Sequence, residues 1–112
     1  MIKSLNENIE FKGDKPHVQL LLETEFTKEI RIVFKEGQIM KKHTAPLPIV
    51  VEIFEGTIEF GVNNETLQLK KGELLSLSAK VPHDLKATAD SIVRLTLSKG
   101  DQEKRVQGVA KQ

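Results

Sequence analysis

The side chains able to do chemistry are few: three histidines, His17, His43 and His83, among 16 carboxylates, with no Cys, Tyr or Trp in 112 residues. An imidazole can ligate a metal, move a proton or hold a hydrogen bond. Without a thiol, nucleophilic catalysis would need an activated hydroxyl, yet no Ser-His-Asp pattern, GxSxG turn, phosphate-binding Gly loop or dinucleotide Gly motif occurs. His83 opens a run in which His83, Leu85 and Ala87 share one parity, while Asp84 and Lys86 take the other. In a strand this turns His83 inward and Asp84 away from it. A lone inward histidine also fits a hydrogen-bonded core residue. His43 stands between Lys41-Lys42 and the stiff Ala45-Pro46-Leu47-Pro48 stretch, where alternation stops. Prolines cannot donate to a sheet ladder, so this stretch marks an edge, a bulge or a rim loop. His17 follows Pro16 at the start of the run His17–Glu23.

The elements that must position these residues follow a period of two. Ile30, Ile32 and Phe34 alternate with Arg31 and Val33; Ile58, Phe60 and Val62 with Glu59 and Gly61; Val93, Leu95 and Leu97 with Arg94 and Thr96. Such runs are half-buried strands. Turn signals at Glu36-Gly37, Glu55-Gly56, Asn63-Asn64, Lys71-Gly72 and Ala89-Asp90 leave room for strands of about five to seven residues and none for helices. An all-β sandwich or barrel is predicted. Asn63-Asn64 reads as a tight hairpin turn, because Asn tolerates the positive φ of primed turns. A helical stretch at Leu5–Ile9 is too short to stand alone. Val50, Glu52 and Phe54 carry the parity opposite to Ile49, Val51 and Ile53, so one strand presents an outward apolar stripe that predicts a homodimer. Arg94 is expected to face solvent or pair with a carboxylate such as Glu59, with a grip on a ligand carboxylate as the alternative.

The length fits one domain and allows an ordinary core without metal or disulfide staples. Seventeen Lys+Arg against 16 Asp+Glu leave a net charge of +1 with the two signs interleaved. That pattern argues against nucleic acid or a membrane surface as partner. The absence of Cys fits a reducing compartment, and no apolar leader opens the chain, so a cytoplasmic protein is expected. Residues 99–112 are polar, with only Val106, Val109 and Ala110 apolar. The expected organisation is a β-domain over 1–98 and a polar tail over 99–112, the alternative being an arm that docks elsewhere.

Two spaced motifs carry a resemblance. Gly37, five residues, His43, one residue, Ala45, then Ile49, six residues and Gly56 form the first; Gly72, five residues, Ser78, one residue, Lys80, two residues, His83, three residues and Ala87 form the second. Over roughly half the chain this spacing resembles the cupin superfamily. The resemblance implies a small jelly-roll barrel, often a homodimer, with a pocket inside. In metal-binding cupins the first motif supplies two His and a Glu and the second one His. Here His43 and His83 remain, while Ala45 stands at the second His position and Ile49 at the Glu position. Glu52, three positions after Ile49, faces the opposite side. Two imidazoles are too few donors for a transition metal, so no metal or cofactor is expected. If a divalent metal does bind, His43, His83 and a recruited His17 are its ligands.

Two functions follow. The leading one is a non-catalytic small-molecule-binding or sensory module, with a mostly apolar pocket formed by His43, Ala45, Ile49, Val51, His83 and Leu85. The alternative is a metal-dependent cupin enzyme of the dioxygenase, isomerase or lyase type, using His43 and His83 with a non-standard third ligand.

Overall fold

The computed structural model describes residues 1–112. Nine strands and one helix follow in chain order: β1 (His17–Glu23), β2 (Thr27–Phe34), β3 (Ile39–His43), β4 (Ile49–Glu55), β5 (Thr57–Val62), β6 (Glu65–Lys70), β7 (Leu74–Leu77), β8 (His83–Ala87), β9 (Ser91–Ser98) and α1 (Glu103–Ala110). They form two antiparallel sheets, one ordered β1-β2-β9-β4-β7 and the other β3-β8-β5-β6. The fold is all-β apart from α1, as the period of two predicts.

Alternation sets the faces. In β4, Ile49, Val51 and Ile53 are buried, whereas Val50, Glu52 and Phe54 are half-buried on the other side. Their inward partners across the sheet are Leu97, Leu95 and Val93 of β9, and Ile58, Phe60 and Leu85 face them from the second sheet within one buried cluster. Asn63 and Asn64 turn the β5–β6 hairpin with φ of 52° and 62°, the left-handed pair a two-residue hairpin turn requires. No helix is long and apolar enough to cross a membrane.

Three features of the sequence have their outcome in this fold. The first is the tail. Residues 99–112 are not a loose polar end: α1 packs on the barrel, and Val106, Val109 and Ala110 join the core cluster. Their spacing of three and four residues puts all three on one face of a helix. Residue 98 is therefore no boundary of the packed body. The second is the segment Leu5–Ile9, which forms turns and no helix.

The third is Arg31. Simple alternation would turn it to water, yet it is 2% exposed. The chain before β1 crosses this face of β2, and Arg31 Nη1 donates to the carbonyls of Leu5 (3.2 Å) and Glu7 (2.7 Å), and Nη2 to that of Asn8 (3.2 Å) and to Gln19. A guanidinium carries five donors, so it can satisfy several otherwise unpaired carbonyls of an irregular segment at once. Burial pushes its pKa below the usual arginine range.

Candidate functional site

The site is built where β3 ends and β8 begins. His43 and His83 are register partners, and the ladder slips between Met40 and His43. That bulge adds a residue on the β3 side, so both Met40 and His43 turn inward although they differ in parity. The two imidazoles lie with ring centroids 4.3 Å apart, tilted by 58°. Phe60 stacks on His83 with ring centroids 5.5 Å apart and planes 8° from parallel.

Each Nδ1 faces a backbone carbonyl, that of Lys41 at 2.6 Å for His43 and that of Val81 at 3.0 Å for His83. A carbonyl only accepts, so both Nδ1 atoms carry the proton, and each Nε2 keeps its lone pair as an acceptor. Burial pushes the His43 pKa down to about 4, helped by His83 and Arg105, while the hydrogen bond to Lys41 and the Asp84 charge oppose the shift. His83 is lowered as well, again chiefly by burial. Both rings are neutral at pH 7.

A cavity of about 20 Å³ lies beside the pair, walled by Ile32, Met40, Ile49, Val51, Leu85, Val93, Leu95, Arg105 and Val106. This is room for about one water molecule. Of the six pocket residues expected from sequence, His43, Ile49, Val51, His83 and Leu85 line it. Ala45 does not: it is buried in the core, with its carbonyl accepting the Lys80 N–H at 2.8 Å. Sequence reasoning missed Arg105 and Val106. Their signal was the helical spacing of Val106, Val109 and Ala110 in a segment judged too polar to order itself.

The expected third ligand is not brought in. His17 sits on β1 with Nδ1 bonded to the Glu10 carbonyl at 3.0 Å and lines a separate surface groove. Arg94 pairs with Glu52 at 3.1 Å, not with Glu59, because β4 lies directly beside β9 and sets Glu52 opposite Arg94. Glu59 belongs to the other sheet, opposite Lys86. Glu52 is thus held on the outer face. Nowhere do three His, Cys, Asp or Glu side chains come together. The donor set does not fit a transition metal, which takes three or four protein ligands.

The two depressed histidines set a pH dependence. Unfolded, each titrates near its ordinary 6.5; folded, His43 titrates at about 4 and His83 below 6.5. Between those values the unfolded chain binds more protons, so stability is complete above about pH 7 and declines as pH falls toward 4. Urea midpoints measured from pH 7.5 to 4.5 are expected to fall monotonically. In His43→Gln the slope is expected to shrink, and an unchanged slope would show that the ring protonates freely in the folded protein.

No protein-family model and no curated protein matches the chain. Solved structures do. An RmlC-like cupin from Desulfovibrio desulfuricans is 25% identical, with a TM-score of 0.75 over 88% of this chain and 97% of that one. A Klebsiella pneumoniae protein with a double-stranded β-helix domain is 18% identical, with a TM-score of 0.75 over 87% of each chain. KdgF from Halomonas sp. is 16% identical, with a TM-score of 0.71 over 83% of this chain and 88% of that one. The two antiparallel sheets, the paired motifs that place His43 and His83 side by side, and these likenesses together identify the chain as a small cupin-fold protein.

Proposed function

We propose that this cupin-fold protein is a non-catalytic module that binds a small molecule in its barrel. The observation that carries this reading is the pairing of two neutral imidazoles, with no third donor, against a small and mostly apolar cavity. Each free Nε2 accepts a hydrogen bond, so the ligand must supply an O–H or N–H, and the apolar walls call for an aliphatic body. The neighbouring Arg105 guanidinium disfavours a cationic head. We place the protein in the cytoplasm, consistent with its lack of cysteine.

The test has two parts. Protein purified without a tag is expected to hold far less than one equivalent of Zn, Fe, Ni or Mn. Titration with isobutyramide or isobutanol is expected to move the His43 and His83 Cε1–H resonances and leave that of His17 in place. Stoichiometric metal, lost in both His43→Ala and His83→Ala, would overturn this reading in favour of a metal-dependent enzyme.

We further propose a homodimer formed through the outer face of the five-stranded sheet. Half-buried Val50 and Phe54 lie there with Leu74, which is 66% exposed, around the Glu52–Arg94 pair. Light scattering is expected to give about twice the chain mass of 12.6 kDa. Phe54→Lys is expected to shift the species to monomer; a wild-type monomer at micromolar concentration would refute the assembly.

A further inference from the structure

α1 walls one side of the cavity. Val106, 2% exposed, and Arg105 reach from the helix to the histidine pair, and Arg105 Nη1 donates to the Thr44 carbonyl at 3.2 Å, one residue beyond His43. The helix is nevertheless a weak element on its own. It has eight residues, its N-cap Gln102 makes no side-chain bond, its last turn carries no basic residue, and Gly108 lies in its interior. A helix this short does not persist in water without tertiary contacts.

Its start is stiffened from within: buried Asp101 accepts from Arg105 Nε at 2.9 Å and from Nη2 at 2.8 Å. That pair travels with the helix. What ties the start to the barrel is Lys28 of β2, whose Nζ donates to the Asp101 carbonyl at 2.8 Å and meets the Glu103 carboxylate at 3.5 Å. At the other end Lys15 Nζ donates to the Gln112 carbonyl at 3.0 Å. The remaining anchors are the Arg105–Thr44 bond and the apolar contact of Val106, Val109 and Ala110.

We propose that α1 is a displaceable plug: Val106 and Arg105 stand in the space of the ligand, and a small aliphatic molecule with an O–H or N–H head binds beside His43 and His83 only when the helix swings out. The ligand class rests on the pocket reading above; the motion of the plug does not. The apparent affinity for the ligand is then its intrinsic affinity reduced by the fraction of molecules with the helix released. The isopropyl group of Val106 defines the size of the group that replaces it.

Two substitutions outside the cavity move this equilibrium in opposite directions. Gly108→Ala adds a methyl into open space, with nothing within 4 Å of the new Cβ, and removes backbone freedom from the released helix. It is expected to lower the released fraction about two- to fivefold. Lys28→Met removes a charge-assisted tie and is expected to raise it about tenfold or more. The experiment is carbethoxylation by diethyl pyrocarbonate at pH 7, read residue by residue by mass spectrometry of peptides. His17 is expected to react quickly in all three proteins. His43 and His83 are expected to react slowly in the parent, slower in Gly108→Ala and faster in Lys28→Met, with little effect of low urea concentrations.

Rates at His43 and His83 that are equal in the three proteins would overturn the plug. So would rates whose urea dependence matches that of global unfolding, since access would then need the whole barrel to open. If Lys28→Met does not fold, the parent and Gly108→Ala decide alone. Isobutyramide affinity measured on the same proteins is expected to follow the same order. Histidines that obey this order in a protein that binds neither isobutyramide nor isobutanol would overturn the pocket reading and leave the plug standing.

Discussion

Gly56→Ala is expected to lower the thermal midpoint by about 8 °C or more. Gly56 alone connects β4 to β5, with φ at +85°, a region in which a side chain costs energy whatever the space around it. Space is also lacking: a Cβ there would sit 2.1 Å from Ser91 Oγ and 2.5 Å from the Asp90 carbonyl. Ser91 cannot step aside cheaply. It is buried, and its hydroxyl donates to the Ala89 carbonyl at 2.7 Å while accepting the Thr57 N–H at 3.1 Å. Strain and overpacking of about 1–3 kcal/mol each sum to about 2–6 kcal/mol. At about 4–8 °C per kcal/mol for a domain near this size, even the lower bound is readily measured. Melting followed by circular dichroism checks it, and a shift under about 3 °C would show that the β4–β5 corner relaxes without cost.

The second large effect is a gain. Ile49 is buried on the inner face of β4 and lines the cavity with both imidazoles, so Ile49→Glu adds the one donor type the pair lacks. Without metal, the variant is expected to be destabilised by several kcal/mol, because its carboxylate is buried among apolar walls. With zinc at a hundredfold excess over its dissociation constant, about 2.7 kcal/mol is returned, and the melting temperature is expected to rise by about 10 °C. The parent is expected to ignore zinc. Ala45→His is the poorer restoration, since Ala45 lies packed outside the cavity and an imidazole there has no room. If zinc leaves Ile49→Glu unchanged, the two Nε2 atoms do not converge on a common point.

The half-buried strands were legible because one face of each is apolar: β4 and β9 show in the structure the alternation they show as text. The two motif frames also brought out His43 and His83 as neighbours, although forty positions separate them. What was not legible depended on distant chain. The direction of His43 turns on a bulge that alternation cannot foresee. The pairing of Arg94 with Glu52 follows from β9 lying next to β4, a neighbourhood that no local pattern encodes. Arg31 reads as an outward residue until the segment before β1 is laid across it. For α1 the difficulty was energetic: a short polar helix is ordered by the surface it covers, so its own propensity says little.

The position of β9 bears on how the chain must fold. It is the middle strand of its sheet, with β2 on one side and β4 on the other, yet it comes after the other eight of these strands in the chain. Until Ser91–Ser98 has left the ribosome, Ile30, Ile32 and Phe34 of β2 and Ile49, Val51 and Ile53 of β4 have no partner strand between them. Closure therefore waits on contacts between segments far apart in sequence, the slow class of two-state folding, on the scale of milliseconds to seconds. Through that interval β2, paired with β1 alone, and β4, paired with β7 alone, each keep one open apolar edge, and the late docking of β9 seals both in a single step.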